Sequence, residues 1–219
     1  MKLNKIEFVL VNNPIRAFIQ EKHEVRILRR MTPIADIGIA LEIGCGNGHG
    51  TKLIKEHFRP KRIEAIDLDE KMIRIACRKY RDSSIQFHVM DASALGFADR
   101  TFDAVFDFGI IHHIPNWKDC ISEMHRVLKD GGEAILEELS IDTFSTFAGR
   151  MWKGLLAHPY NEMFSTAEFL ESFAAAGFVL QGFSESHPLR LLKHFSLVAK
   201  KLTADNESLQ SRVQTVGSS

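Results

Sequence analysis

The chain has 219 residues, 45% of them apolar and 26% charged, enough for one sizeable core and short of two ordinary domains. Lysine plus arginine and aspartate plus glutamate number 28 each, so the formal net charge is zero. No global basic excess draws the chain to nucleic acid, and no run approaches the roughly 20 apolar residues that span a bilayer.

The first thirty residues read as helical. Asn13-Pro14 has the form of an N-cap followed by proline at the first helical position. Ile15, Phe18, Ile19, Val25 and Leu28 then keep one apolar face, and Arg29-Arg30 falls where cations complement a helix C-terminus. The opening M-K-L-N-K-I-E-F-V-L lacks the long apolar stretch and small-residue cleavage site of a signal peptide.

From residue 40 the pattern alternates. Strands are predicted at 40–45, 62–68, 85–91, 102–109 and 133–139, with helices between them at 49–58, at 70–81 and after Asn116, which is expected to cap the last. Gly131-Gly132 is expected to end the last of these helices. Residues 143–156 read as an amphipathic helix. Ser165-x-x-Glu168 is a capping-box signal for a helix to about Ala176, stopped by Gly177. Two last strands, 178–183 and 195–202, are joined by a stretch around Pro188 too short for a parallel crossover, so an antiparallel pair is expected. The tail 203–219 is polar and is expected to be mobile. Cys45, Cys77 and Cys120 stand far apart with no C-x-x-C, which favours reduced thiols and a cytoplasmic home.

Alternating strands and helices imply an α/β fold with a mostly parallel sheet between two helical layers, whose ligand crevice lies at the carboxyl ends of the strands. The first strand runs into Gly44-Cys45-Gly46-Asn47-Gly48-His49-Gly50. Glycines there allow a sharp turn and a close backbone approach to a ligand. The second ends at Asp67, a carboxylate able to accept from both hydroxyls of a ribose. Asp69 is better placed as the cap of the helix that follows. The third ends in Met90-Asp91-Ala92, an acid and a small residue suited to an amino group and ring nitrogen of a base. The glycine register fits neither G-x-G-x-x-G nor a P-loop, which disfavours nicotinamide, flavin and nucleoside-triphosphate chemistry.

L-E-I-G-C-G-N-G (41–48), A-I-D-L-D-E-K-M-I (65–73), M-D-A-S-A-L-G-F-A-D-R-T-F-D-A-V-F (90–106), H-H-I-P-N-W (112–117) and M-H-R-V-L-K-D-G-G (124–132) occur in series. Together they resemble the class I S-adenosylmethionine-dependent methyltransferases, and within them the small-molecule branch that includes the ubiquinone and menaquinone C-methyltransferases. The resemblance covers residues 38–140. It implies a Rossmann-like three-layer sandwich with seven strands, the last antiparallel, and S-adenosyl-L-methionine as cofactor. It implies that Glu42, Gly44, Cys45 and Gly46 line the methionine and ribose side and that Asp67 binds the ribose hydroxyls. Leu68 then lies against the adenine face, with Met72 in the same group, and Asp91 and Ala92 hold the adenine edge. Phe108 and Gly109 offer backbone carbonyls to the amino-acid part.

Methyl transfer from a sulfonium is an in-line displacement that needs no covalent protein nucleophile. Alignment is the protein's main contribution, for which roughly 7–11 kcal/mol is available. A base is needed only for an acceptor that must lose a proton. His112 and His113 are the candidate bases, with Glu137, Glu138 and His158 as further rim groups. Alternation puts Glu137 and Glu138 on opposite faces, so at most one should face the pocket. No H-x-x-x-H or Cys/His spacing suggests a metal site. One domain is expected over 1–202, with an N-terminal helical lid at 1–30 and an acceptor-side insert at 141–165. Phe8, Phe18, Phe144, Phe147, Met151, Trp152, Tyr160, Met163 and Phe164 suit a lipophilic or aromatic small-molecule acceptor. The rival readings are a non-catalytic protein that binds the same cofactor and a nucleic-acid methyltransferase. The zero net charge and the lack of an N-P-P-Y or D-P-P-Y block weigh against the latter.

Overall fold

A computed structural model describes residues 24–145, 163–186 and 194–202. In chain order the elements are α1 (Val25–Met31), β1 (Ile39–Ile43), α2 (His49–His57), β2 (Arg62–Asp67), α3 (Glu70–Lys79), β3 (Ile85–Val89), β4 (Phe102–Phe108), α4 (Trp117–Val127), β5 (Leu128–Leu139), α5 (Thr166–Ala175), β6 (Phe178–Ser186) and β7 (His194–Lys201). Short 3-10 turns occupy Ile111–His113 and Ile141–Ser145.

The strands form one seven-stranded sheet in the order β3-β2-β1-β4-β5-β7-β6. The pairings β1 to β2, β1 to β4, β2 to β3 and β4 to β5 are parallel. β7 enters antiparallel between β5 and β6, as the short link around Pro188 requires. The order reverses at β1, so the crevice of the switch point opens beyond the carboxyl ends of β1 and β4.

Alternation along the strands separates two cores. On one face Leu41, Ile43, Val105 and Leu136 pack with Trp117, Ile121 and Met124 of α4 and with Phe169 and Phe173 of α5. On the other, Ala40, Ile63, Phe106, Ile135 and Val198 meet Val25 and Leu28 of α1 and Leu53 and Ile54 of α2. Val25 and Leu28 are completely buried, so α1 is anchored to the sheet. Most of the expected N-terminal lid (1–23), most of the acceptor-side insert (146–162, with His158, Phe147, Met151, Trp152 and Tyr160) and the tail lie outside the described residues.

Local chemistry explains most boundaries. Asp69 caps α3 by accepting from the Lys71 amide, and Ser165 caps α5 by accepting from the Glu168 amide. Gly177, at φ +93°, turns the chain out of α5.

Three expectations need correction. Asn116 stands at the start of α4, but its side chain does not cap it; Nδ2 donates to Asp119 instead. Gly131-Gly132 does not end α4. The helix stops at Val127 and β5 begins at once, with the glycines inside a register shift between β4 and β5. Gly132 is required there because a Cβ would lie 2.9 Å from the Lys129 carbonyl and 3.0 Å from that of Asp103. Phe164, expected at the acceptor pocket, is fully buried. Its ring sits 4.4 Å from Phe169 and 5.0 Å from Trp117, centre to centre, so it is core. Cys45 and Cys120 are buried, and Cys77 is exposed.

Candidate functional site

At the carboxyl edge of the sheet a cleft is lined by Gly44, Ile66, Asp67, Leu68, Met90, Asp91, Ala92, Ile110, His113, Ile114, Pro115 and Asn116. It collects the ends of β1, β2 and β3 and the loop that follows β4. Five of the residues expected at the cofactor line it directly: Gly44, Asp67, Leu68, Asp91 and Ala92.

The loop after β1 is shaped by its glycines. Gly44 (φ +66°) and Gly46 (φ +52°) both adopt left-handed backbone. A Cβ on Gly44 would overlap the Ile110 side chain at 2.4 Å, whereas one on Gly46 meets nothing within 4 Å. The first glycine therefore lets the loop close on the β4 side. The second leaves open backbone beside Asp67. Asp67 fixes this loop: Oδ2 accepts from the Gly46 amide at 2.8 Å and Oδ1 from the Asp69 amide at 2.8 Å. Burial raises its pKa against the pull of these two amides. Asp91 is set in a turn, with Oδ1 accepting from the Ser93 amide at 2.9 Å and the Ser93 hydroxyl at 2.7 Å. Leu68 is half exposed, at 52%, an apolar surface left at the cleft.

The other expected residues stand behind the cleft. Glu42 is buried on the α2 face of β1, where the Thr51 hydroxyl donates to it. Gly50 is needed because Glu42 Oε1 occupies the space a Cβ would take. Burial pushes the Glu42 carboxyl up to about 8, helped by the charges of Asp67 and Asp107 and opposed by the Thr51 hydrogen bond. Cys45 is buried, its amide donating to the Ile66 carbonyl. Burial, then Glu42 and Asp67, hold its thiol neutral well above the usual range. Met72 is buried in α3. The Phe108 ring packs over Gly50, and Gly109 (φ +77°) turns the chain out of β4.

Met90, Ile110, Ile114, Pro115 and Asn116 line the cleft without having been singled out for it. The H-H-I-P-N-W block held the signal for three of them, but attention to its titratable histidines passed over the apolar wall.

The two histidines separate. His113 lines the cleft. His112 lies beneath it, the ring centres 4.1 Å apart, with Nδ1 2.6 Å from Glu138 Oε2. Glu138 also accepts from the amides of Ile111 at 2.5 Å and Leu139 at 2.8 Å. It thus ties the loop after β4 to β5. Burial raises Glu138 to about 8. Neighbouring Asp107 is raised well above the carboxylate range by burial and by the Glu138 charge. Glu137 faces the opposite side, hydrogen-bonded to His194. Both glutamates are buried on opposite faces of β5 and neither lines the cleft, in keeping with the expectation that at most one would.

Residues 41–136 match the sequence model of the family described as methyltransferase domain. The chain is similar to the fatty-acid O-methyltransferase of Mycolicibacterium smegmatis, 35% identical over 92 residues, covering 42% of this chain and 34% of the relative. It is also similar to the malonyl-[acyl-carrier protein] O-methyltransferase of Marinomonas sp., 29% identical over 152 residues, 68% of this chain and 56% of the relative. The chain thus spans about a third and about half of the length of these curated relatives. Among solved structures it resembles geranyl diphosphate C-methyltransferase from Streptomyces coelicolor in complex with S-adenosyl-L-homocysteine. The TM-score is 0.70 at 15% identity, over 83% of this chain and 81% of that one, a likeness of fold. No described helix is long and apolar enough to cross a membrane.

Proposed function

We propose that this chain, whose residues 41–136 match the methyltransferase-domain family, is a class I S-adenosylmethionine-dependent methyltransferase that methylates a small lipophilic or planar acceptor. The observation that carries this reading is the convergence of Gly44, Asp67, Asp91 and Ala92 on one cleft at the switch point.

The residues fit the cofactor. Each Asp67 oxygen already takes one backbone amide and keeps a second acceptor position for a ribose hydroxyl. The open backbone at Gly46 allows close approach beside it. The Asp91 turn sets a carboxyl at the cleft for an amino group, with the Ala92 amide next to it, and Leu68 offers an apolar face to a planar base. Behind them, the Glu42–Gly46 segment and the carbonyls of Phe108 and Gly109 would hold the amino-acid part. When bound, S-adenosylmethionine supplies an electrophilic methyl group on a sulfonium. The chain's own residues bind, orient and exclude water. Where the acceptor must lose a proton, His113 is the histidine placed to take it; His112, locked to Glu138, holds the loop beneath.

The acceptor class rests on three things: the aromatic residues left over after the cofactor blocks, the resemblance to quinone C-methyltransferases, and the fatty acid named for one relative. Calorimetry with S-adenosylmethionine and S-adenosylhomocysteine, followed by labelled-methyl transfer to lipophilic acceptor pools, tests the reading. Micromolar binding with label in one product supports it; no binding of either ligand at millimolar concentration refutes it.

A further inference from the structure

On the face of the sheet opposite Glu138, three buried side chains from distant parts of the chain converge. Glu24 immediately precedes α1, Glu137 lies near the end of β5, and His194 is the first residue of β7. They are only 4%, 1% and 8% exposed. In the antiparallel register His194 stands opposite Leu139 and Ser196 opposite Glu137, so His194 is the diagonal neighbour of Glu137 on the same face. Its Nδ1 is hydrogen-bonded to Glu137 and lies 3.9 Å from Glu24 Oε1. The three side chains present one donor atom each, all within 4.8 Å of one another.

We propose that Glu24, Glu137 and His194 form a binding site for a divalent first-row transition ion of the zinc or manganese type. With metal–donor distances of about 2.0–2.2 Å, two donors of one tetrahedral ion lie roughly 3.3–3.6 Å apart, so the triangle closes on an ion once the His194–Glu137 hydrogen bond opens and side-chain adjustments on the order of 1 Å draw in the most distant pair. One imidazole nitrogen with two carboxylates is a borderline donor set. It suits Zn²⁺, Mn²⁺ or Fe²⁺ better than Ca²⁺ or Mg²⁺, which seek oxygen and water, and better than a soft ion that seeks thiolate. Ligand positions 24, 137 and 194 have no motif spacing, which is why the absence of H-x-x-x-H or a Cys/His cluster did not reveal them.

The site differs from the cleft, since none of the three lines it. It also differs from the His112–Glu138 pair, which lies on the other face of β5. Its consequence is mechanical. An ion there joins the residue that leads into α1 to the carboxyl end of β5 and the first residue of β7, stapling the N-terminal segment to the rim of the sheet. Binding requires an unprotonated Nδ1 on His194, so affinity falls as the solution is acidified through the histidine range and binding releases a proton.

The test uses the full chain, stripped with a chelator and titrated with Zn²⁺ against a chromophoric competitor. Mn²⁺ and Mg²⁺ titrations run in parallel, and Co²⁺ reports coordination by its visible spectrum. One Zn²⁺ per chain is expected, with Mg²⁺ far weaker. Glu137→Gln and His194→Ala should each weaken Zn²⁺ by more than the roughly 10–100-fold that loss of an outer-shell partner costs. Glu24→Gln lies outside the sheet and provides the same readout should a sheet variant fail to fold. Substoichiometric Zn²⁺ in the wild type overturns the site, leaving His194 as a buried imidazole hydrogen-bonded to Glu137 beside Glu24. Unchanged affinity in folded Glu24→Gln or Glu137→Gln overturns it too. Metal titration does not involve the methyl donor, so it succeeds or fails independently of the proposed transferase reaction.

Discussion

Replacing Glu42 by glutamine isolates the cost of burying an acid at the rim of this sheet. The Glu42 carboxyl titrates near 8 in the fold against an ordinary value of 4.5. Between those pH values the folded chain holds a proton that the unfolded chain has released. The unfolded state therefore binds fewer protons, and stability falls as pH rises through the window, by up to about 1.4 kcal/mol per pH unit for one group. Glutamine fills the same space, accepts from the Thr51 hydroxyl and never ionises. Wild type and Glu42→Gln should be similarly stable near pH 5. By pH 8 the variant should be the more stable by on the order of 4 kcal/mol. Glu138 and Asp107 are also raised; their slopes are common to both proteins and largely cancel in the difference, apart from the coupling of Asp107 to Glu42. Urea unfolding at unit pH intervals measures it. A difference that stays flat from pH 5 to 8 refutes the assignment of a buried neutral Glu42. The same proton bears on binding: a sulfonium beside these acids favours ionised Glu42. Wild-type affinity should rise toward pH 8 with proton release, and Glu42→Gln should lose most of that dependence.

Three further outcomes follow from the geometry. Asp67→Ala should weaken S-adenosylmethionine binding by about 1.5–3 kcal/mol, the worth of charge-assisted hydrogen bonds; unchanged affinity by calorimetry, with an intact circular dichroism spectrum, would reassign the ribose contact. Gly44→Ala meets both a left-handed backbone, at roughly 1–2 kcal/mol, and the Ile110 side chain, so it should lower the urea midpoint and cofactor affinity together. Phe169→Ala removes the ring packed against Phe164, Trp117 and Phe195 and should cost about 3–5 kcal/mol of stability while leaving cofactor affinity of the folded protein unchanged.

The fold was legible because its signals are local. Asp69 and Ser165 announce helices through bonds that span two or three residues, and the alternation of Leu41, Ile43 and Ala40 reports which face of β1 meets which helix layer. The antiparallel entry of β7 followed from the length of a link. Signals failed where the deciding contact is distant. Gly131-Gly132 looks like a helix stop, but its reason is the approach of the Asp103 carbonyl on β4. Phe164 reads as a spare aromatic until Phe169, Trp117 and Phe195 enclose it. In the site, Gly44, Asp67 and Asp91 were visible because strand ends were visible. The division of labour between His112 and His113 was not, because it depends on Glu138, 26 residues from His112. The triangle of Glu24, Glu137 and His194 lies further still beyond any spacing rule.

The acids at the carboxyl edge form a row across the strands, with Glu42 and Glu137 on one face of the sheet and Asp107 and Glu138 on the other. Ile43, beside Glu42, pairs with Asp107 across β1 and β4, and Phe108, beside Asp107, pairs with Glu137 across β4 and β5; Glu138 follows. All four carboxyls are buried, in positions where an apolar side chain would cost the fold nothing in desolvation. Their described partners are a threonine hydroxyl, two histidines and backbone amides. Such a row lowers the stability of the ligand-free protein, as the pH argument for Glu42 makes quantitative. A row of this kind is best explained by what it gains on binding. A methyl donor that carries a sulfonium and an ammonium would draw Glu42, Asp107 and Glu138, the three that burial raises, back toward ionisation and offset their burial. The acids that make the free protein less stable would therefore favour a cationic donor.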